Sequence, residues 1–428
     1  MQTRDLTPAP GQESATPHAA REALTAPAGQ ADLVIQEVEI LRLTGSRELR
    51  RGVHRQHQVQ PAHLYPERRP ALYRDAADAK PETVALTQYY VRIRTRGGVD
   101  GLYGAVDREA LPVLLGPLRS LLLGQDALAI ERIWDQMYRS NRHSRASHYM
   151  MAISYLDNAL WDLRGRHFSA PVFRLLGGPT QQPVEVYGSC LGFAIEPELA
   201  AVRAAQLRKD GFRLQKWFLG YGPGDGARGM DLNVQLVRAL REALGEDAEI
   251  MFDAYQGWDL QYALDWCRRA ERYRPAWLEE AFPIADLDSF QRLSRATAVP
   301  LATGEHLYNR WEVQRYLEAG ALHYIQADPE WCGGVSELLK IGHLCSVHGV
   351  KLVPHCHNIH GALHVVASQS PALSPFGEYL INHVPEKLHF MKDAPLTANG
   401  RVLLRERPGF GIELDPAKIE RQELLTSI

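Results

Sequence analysis

Cysteine is scarce in this sequence, and no two cysteines have the spacing of a metal site. The five cysteines stand far apart and none belongs to a CxxC pair. This excludes the common zinc-ribbon and thioredoxin-like patterns and favours five reduced thiols in a cytosolic protein. No basic stretch followed by an apolar stretch opens the chain, so we expect no signal peptide and a cytoplasmic location.

Long apolar runs and long basic runs are also missing. No run approaches the roughly 20 apolar residues that a membrane span needs. The formal net charge is -3 and no Lys/Arg cluster stands out, so neither nucleic acid nor a membrane is an expected partner. The 428 residues, 45% of them hydrophobic, suit a large α/β barrel with an added module.

The first part of the chain predicts a tail followed by an α+β domain. Residues 1–31 are rich in Ala, Pro, Thr, Gln and Gly and are predicted to be a disordered tail. Residues 32–178 are predicted to form an α+β capping domain. Its strand is expected at Asp32–Leu43, a hairpin in "TQYYVRIRTRGGVDGLYGAV", and helices at Arg108–Leu123, Ala127–Arg139 and Ser147–Leu176.

From Val184 onward, short apolar runs alternate with helical patterns. This alternation predicts a parallel sheet, and seven or eight such units favour a (β/α) barrel of the TIM type over residues 179–382. Residues 383–428 are predicted to return to the capping domain, with a strand in "RVLLRERPGFGIELDP".

The predicted barrel strands end in charged residues. The carboxyl ends of barrel strands open on one face, where barrel enzymes build their active sites. Surface charge alone would not favour one strand position in seven successive strands. The residues at these ends are Lys216, Asp253, Glu279 with Glu280, Glu305 with His306, Asp328, His355 and Glu378.

Three of these acids, Asp253, Glu279 and Glu305, come from adjacent strands. Converging carboxylates repel one another unless a cation lies between them. Oxygen ligands favour Mg²⁺, with Mn²⁺ possible, over Zn²⁺. Only one carboxylate of "WLEE" can point into the barrel; we predict that it is Glu279 and that Glu280 points outward or lies behind the ligand.

The stretch "LVPHCHNIHGALH" holds several histidines. His355 follows an apolar strand and is the candidate catalytic base, with Asp328 orienting its ring. His360 and His364 are four residues apart, so a zinc site with His357 or Cys356 is an alternative to a pocket rim and helix surface. We predict that His357 contacts substrate.

These motifs resemble the enolase superfamily, and within it the mandelate racemase subgroup. The residues that carry the resemblance lie in "FDAY", "WLEEAF", "ATGEH", "QADPEWCGGVSELLKI" and "VPHCH". The resemblance implies that three acids bind Mg²⁺ and that Asp328 and His355 remove the proton α to a substrate carboxylate. It also implies that Glu378 hydrogen-bonds the enediolate and that the protein is a homo-oligomer. His306 is a second candidate acid for the leaving group.

A narrower set of motifs resembles the L-rhamnonate dehydratase family. It comprises "GPGDGARGMDLN", "QADPEWCGG", "GEH" and "PGFGIEL". The resemblance implies dehydration of a sugar acid, an aldonate such as L-rhamnonate, to a 2-keto-3-deoxy acid by a hydro-lyase. The stretch "CHNIHGALH" departs from the pattern of that family. Two alternatives stay open: another reaction on the same enediolate, such as epimerisation, and a relative that binds a sugar acid without turnover.

The second predicted barrel strand argues against racemisation. Racemising relatives carry K-x-K there, because residues i and i+2 share a face and the second lysine serves as a base. This chain has Lys216 and Phe218, so only one base is expected, and Lys216 is left to neutralise the substrate carboxylate.

A long polar loop precedes the hairpin and is a candidate lid. It carries His54, His57, His63, Arg68 and Arg69, which could close over a polyhydroxy acid or remain solvated. We predict His54 and Arg68 as substrate-binding residues.

Overall fold

The first module is an antiparallel sheet with helices packed beside it. The computed structural model describes residues 31–50, 58–69 and 81–426. Strand β1 pairs with β2, and β2 pairs with β3, so the predicted hairpin is confirmed. Strand β1 is longer than predicted because its pairing with β2 continues to the edge of the described segment. The bounds are β1 Ile35–Arg50, β2 Pro81–Thr95 and β3 Asp100–Gly104.

The helices of this module follow the predicted patterns with shorter bounds. The first pattern is broken by a π-helical turn at Leu114–Leu118 that contains Pro117. The third ends at His167, before a short separate helix. The helices are α1 Leu111–Val113, α2 Arg119–Leu122, α3 Ile130–Ser140, α4 Ser147–His167 and α5 Val172–Leu175.

The second module is one curled sheet of eight parallel strands in the order β10-β9-β8-β7-β6-β5-β4-β11. All seven charged-ended runs of the sequence form strands of this sheet, and β4 adds the eighth. Their bounds are β4 Val184–Ser189, β5 Leu214–Phe218, β6 Glu249–Asp253, β7 Trp277–Glu279, β8 Leu301–Thr303, β9 Tyr324–Ile325, β10 Lys351–Leu352 and β11 Gly377–Leu380.

Helices connect consecutive strands, as the parallel order requires. Several begin at a side-chain cap: Asp259, Asp286, Asn309 and Asn358 each accept a hydrogen bond from a backbone N–H of the first turn. The bounds are α6 Pro197–Lys209, α7 Gly226–Leu244, α8 Leu260–Ala270, α9 Leu287–Ala296, α10 Arg310–Glu318, α11 Gly334–His348, α12 Ile359–Val366 and α13 Val384–Lys387.

The chain's last segment returns to the first module, as predicted, but through a later strand. Strand β12, Arg401–Val402, pairs with β4 of the barrel. Strand β13, Arg421–Leu425, pairs antiparallel with β1. The prediction that "RVLLRERPGFGIELDP" supplies the returning strand was therefore wrong, because its first residues extend the barrel sheet instead.

The capping module is hydrogen-bonded to the barrel through buried polar groups. Asn158 of α4 donates to the carbonyl of Pro329 and accepts from the N–H of Val335. Asp157 accepts from both the N–H and the hydroxyl of Ser336. Helix α4 is thus fixed against the start of α11, which follows the end of β9.

All five cysteines are free and buried, as the sequence indicated. Among the helices of the described ranges, none has the length and apolar character needed to span a bilayer.

Candidate active site

Strand alternation builds the floor of the candidate site. Inward-facing residues of seven barrel strands form a separate buried apolar cluster. Two positions farther along several of these strands, polar residues face the same way. The apolar cluster is Tyr187, Leu214, Met251, Trp277, Ala302, Val353 and Phe376; the polar residues above it are Ser189, Lys216, Asp253, Glu279 and Glu378.

Lys216 lies among three carboxylates. Its Nζ is 2.5 Å from Glu279 Oε1, 3.1 Å from Glu378 Oε1 and 3.3 Å from Asp253 Oδ2. Burial disfavours the charged ammonium, but these acids hold the pKa of Lys216 well above its usual value. Three short contacts match the three hydrogens of an ammonium group.

Glu279 is fully buried, and its carboxylate accepts three short hydrogen bonds. Besides Lys216, its Oε2 accepts hydrogen bonds from Trp277 Nε1 and Gln326 Nε2, both at 2.8 Å. Asp253 is its register partner on the neighbouring strand. Burial and the charge of Glu279 raise the pKa of Asp253 well above its usual value. The charge of Lys216 therefore offsets only part of the effect of burial and of Glu279 on Asp253.

Glu280 is buried and takes part in a second acidic group, so the outward orientation considered for it was wrong. Its backbone has a φ of 46°, which turns the chain out of the strand. Glu280 Oε1 is 2.8 Å from His306 Nδ1, and Gln256 Nε2 donates to the same carboxylate. Ligand atoms of Glu280, Glu305 and His306 lie within 4.8 Å of one another.

Burial is also the main reason that the pKa of Glu305 rises to about 7, with Glu280 adding to it. For His306, burial lowers the pKa, but the hydrogen bond and charge of Glu280 raise it to about 9. Asp253 lies close enough to Glu279, Glu280 and Glu305 for their charges to raise its pKa. Among the described residues, however, only Glu280, Glu305 and His306 bring ligand atoms within 4.8 Å of one another. This donor chemistry fits a hard divalent cation.

His355 and Asp328 form a buried pair. His355 Nδ1 is 2.6 Å from Asp328 Oδ2, and Asp328 also accepts the N–H groups of Glu330 and His357. His355 Nε2 is 3.8 Å from Glu305 Oε2 and 3.8 Å from Glu378 Oε2. Burial lowers the pKa of His355, but Glu305, Glu378 and Asp328 together raise it well above its usual value. Any group that neutralises Glu305 therefore lowers the pKa of His355.

Glu378 is a hydrogen-bond acceptor in this structure. Its Oε2 accepts the N–H of Cys356 at 3.1 Å. Burial raises its pKa, but Lys216 and His355 lower it to about 2. A carboxylate cannot donate to an enediolate, so the implied donor role of Glu378 requires that it first gain a proton.

One cavity of about 230 Å³ connects these residues with a second polar group. Its lining includes Lys216, Asp253, Glu305 and His355, which we call one end, and His357 and Lys387, which we call the distal end. His357 Nε2 is 2.6 Å from Asp107 Oδ1, and Lys387 Nζ is 2.5 Å from the same nitrogen. The prediction that His357 lies by the substrate site is compatible with this position.

Trp331 connects the two ends of the cavity and has no role in the sequence-based predictions. Its ring lies against His355 with centroids 4.9 Å apart and against His357 at 5.1 Å. Its Nε1 donates to Asp107 Oδ2 at 3.0 Å. The motif "QADPEW" contains it, but only the folded chain shows that it faces histidines of the next strand.

Other predicted residues lie away from the cavity. Arg68 is exposed and is not part of the cavity wall. Its neighbour Arg69 instead pairs with Asp225 of the barrel, with 2.5 Å between Nη1 and Oδ1. His54 lies outside the described residues.

His360 and His364 are both buried in α12, so placing them on a pocket rim or helix surface was wrong. His364 Nδ1 accepts the N–H of Phe173 at 3.1 Å, and His360 Nε2 is 3.1 Å from Met391 Sδ. Burial lowers the pKa of His360 to about 4 and holds the pKa of His364 well below its usual value. These two contacts join α12 to α5 and to the last segment, and they give no support for a zinc site at His360 and His364.

Comparison with known proteins agrees with this arrangement. Residues 76–177 match the mandelate racemase / muconate lactonizing enzyme N-terminal domain, and residues 199–418 match the enolase C-terminal domain-like family. This chain belongs to the mandelate racemase and muconate lactonizing enzyme family. Members of the enolase superfamily share the capping domain and barrel described above.

Two similar proteins are named as dehydratases of sugar acids. L-rhamnonate dehydratase of Saccharopolyspora erythraea is 34% identical over 68% of this chain and 74% of its own length. Arabinonate dehydratase of Saccharolobus solfataricus is 31% identical over 69% of this chain and 78% of its own. A crystal structure of rhamnonate dehydratase from Gibberella zeae complexed with Mg has a TM-score of 0.75 and 27% identity, covering 90% of this chain and 95% of that one.

Proposed function

We propose that this protein is a Mg²⁺-dependent hydro-lyase that converts an aldonate, with L-rhamnonate as the first candidate, to a 2-keto-3-deoxy acid. The observation that carries the proposal is the relation of His355 to the acids. Its Nδ1 is bonded to Asp328, while its Nε2 faces the cavity between Glu305 and Glu378. A base held this way can reach the carbon next to a substrate carboxylate when a cation on the proposed metal ligands binds that carboxylate.

Asp253, Glu279 and Glu305 are the proposed metal ligands. Mn²⁺ is an alternative ion, and Glu280 is the alternative to Glu279 because it lies within 4.8 Å of the Glu305 ligand atoms. The ion would supply a Lewis acid that stabilises the two oxygens of an enediolate. Burial and the neighbouring carboxylates raise the pKa values of Asp253 and Glu305, and a bound cation would offset that effect.

His355 is the proposed base, and Asp328 the residue that orients it. The imidazole accepts the α-proton at Nε2 while Asp328 holds the Nδ1 proton. The same ring then lies on the correct side to protonate the leaving 3-hydroxyl. His306 is the other candidate acid, but it is bonded to Glu280 and Gln256 and is not part of the cavity wall. We therefore propose His355 for both transfers and His306 for positioning Glu280.

Racemisation is disfavoured because the opposite strand offers no second base. Lys216 Nζ lies within 3.3 Å of carboxylate oxygens of Asp253, Glu279 and Glu378, which favour its charged form. Phe218, which shares its face, cannot accept a proton, and its ring centroid is 5.3 Å from Lys216 Nζ. Loss of water is the remaining outcome for an enediolate with a 3-hydroxyl.

A panel of aldonates and aldarates tests the proposal. Purified protein with Mg²⁺ is incubated with each acid, and the 2-keto-3-deoxy product is detected with semicarbazide. We expect product from at least one aldonate. Product from none, with C2 epimers instead, supports the epimerase alternative; neither product nor C2 exchange contradicts catalysis.

A further inference from the structure

The end of the cavity remote from the acids contains a polar group that the proposed reaction does not use. It consists of Asp107 from the capping module, His357 after β10 and Lys387 at the end of α13. Their side chains are 13%, 20% and 21% exposed, and His357 and Lys387 line the cavity. We call these three residues the distal triad.

One nitrogen of the distal triad, His357 Nε2, lies close to both Asp107 and Lys387 and cannot hydrogen-bond to both in the same protonation state. His357 Nε2 is 2.6 Å from Asp107 Oδ1 and 2.5 Å from Lys387 Nζ. The nitrogen either carries a proton and donates to Asp107, or lacks one and accepts from Lys387. These two states cannot coexist in one ring.

The surroundings of Asp107 favour the first state. Its Oδ2 accepts from Trp331 Nε1, and burial alone would raise its pKa, but His357 and Lys387 hold that pKa far below its usual value. Asp107 is therefore a carboxylate that accepts a hydrogen bond from the Nε2–H group of His357. Lys387 then faces an N–H group, and its other contact here is Asp107 Oδ1 at 3.5 Å. Its ammonium group therefore has N–H donors that these two contacts do not use, and Lys387 lines the cavity.

Charge decides what Lys387 would bind. Lys387 and Asp107 carry opposite charges and lie 3.5 Å apart. A second carboxylate of a di-acid would approach Asp107 as well as Lys387, whereas a hydroxyl meets a donor without repulsion. A hydroxyl is the better fit.

We propose that Lys387 determines specificity by donating a hydrogen bond to a distal hydroxyl of a sugar mono-acid, while Asp107 and His357 position it. This inference rests on the proposed function, in which the carboxylate of the acid lies at the opposite end. The hydrogen bond from Lys387 would distinguish long aldonates from short acids and from aldarates, because Lys387 contacts the far end of the substrate and not its reacting carbons.

The test compares substrates of different length in two variants, Lys387→Met and Lys387→Gln. Steady-state kinetics with Mg²⁺ are measured on a six-carbon aldonate that the wild type dehydrates, on a four-carbon acid and on a six-carbon aldarate. For an acid that is not turned over, its inhibition constant replaces KM. The matched control is Lys392→Met, which removes an exposed lysine nearby.

We expect either Lys387 variant to raise KM for the six-carbon aldonate by about 10- to 100-fold, the size expected for a charged hydrogen bond. The value for the four-carbon acid should change by less than about threefold, and Lys392→Met should change neither. Lys387→Arg should restore part of the loss.

Two results would overturn the inference. An equal rise in KM or inhibition constant for long and short acids would mean that Lys387 acts through general charge or folding. An unchanged KM for the long acid would mean that Lys387 does not bind it. A wild type that dehydrates no acid would instead defeat the proposed function, and the inference with it.

Discussion

The two ends of the active-site cavity are built in different ways. The end that we propose to be catalytic, called the catalytic end below, consists of residues at the ends of barrel strands, such as Lys216, Asp253 and Glu279, and these are almost completely buried. The distal end consists of Asp107, His357 and Lys387, which come from the capping module, a barrel loop and the last segment. A rigid strand framework suits chemistry, and loops from several elements suit selection among substrates.

The largest effect should come from the catalytic end. His355→Asn keeps a polar group of similar size but removes the base, so product formation should fall by about 1,000-fold or more. The semicarbazide assay measures the loss. His348→Asn, an exposed histidine at the end of α11, is the matched control and should retain wild-type activity. A ten-fold effect of His355→Asn would place the base elsewhere.

Removing a lysine should affect stability very differently at the two ends. Lys216→Met leaves three buried acids without their ammonium partner and should cost about 3–5 kcal/mol of unfolding free energy without Mg²⁺. Lys387→Met should cost about 1 kcal/mol or less because its partners are partly exposed.

Urea unfolding in the presence of a chelator, followed by circular dichroism, measures both. Added Mg²⁺ should recover part of the loss in Lys216→Met, since a cation substitutes for the missing charge. Equal destabilisation of the two variants would contradict the distinction between a buried catalytic end and an accessible distal end.

Two adjacent acids test which residues hold the metal. Glu279→Gln should weaken Mg²⁺ binding by about 100-fold, whereas Glu280→Gln, which disturbs only His306 and Gln256, should weaken it by about 10-fold. Isothermal titration with Mg²⁺ gives both affinities without needing substrate. The reverse order would assign the ligand to Glu280.

The smallest effect concerns the residue between the two ends. Trp331→Phe keeps a ring against His355 but loses the N–H that Asp107 accepts. Loss of one hydrogen bond should cost about 1 kcal/mol, equivalent to about a fivefold rise in KM for a long aldonate with kcat little changed. Trp311→Phe, on the exposed face of α10, is the control. A fall in kcat alone would assign Trp331 to the chemistry of His355.

The catalytic end could be predicted because its residues obey strand alternation. Lys216, Asp253 and Glu378 each lie two positions beyond an apolar residue of the barrel interior, and that spacing is visible in the sequence. Glu280 broke the rule because alternation ends with the strand: its positive φ returns the side chain toward His306. A change of backbone direction at a single residue, such as Glu280, leaves no periodic pattern in the sequence.

The distal end could not be predicted because it depends on long-range packing. Asp107 and Lys387 are separated by most of the chain, and no spacing connects them. The sequence indicated that the capping module supplies substrate contacts, but it pointed to Arg68, which is exposed. His360 and His364 were misplaced for a related reason, because α12 is buried on all sides between the barrel and the last segment.

The central claim is that His355 removes the proton from one face and that water is then lost. Proton NMR of the wild-type reaction in D₂O with Mg²⁺ and a dehydrated aldonate tests it most directly. The account predicts a 2-keto-3-deoxy acid, with no C2 epimer of the substrate at any time, and neither product nor exchange in His355→Asn. Accumulation of the C2 epimer, or C2 exchange that persists in His355→Asn, would contradict it.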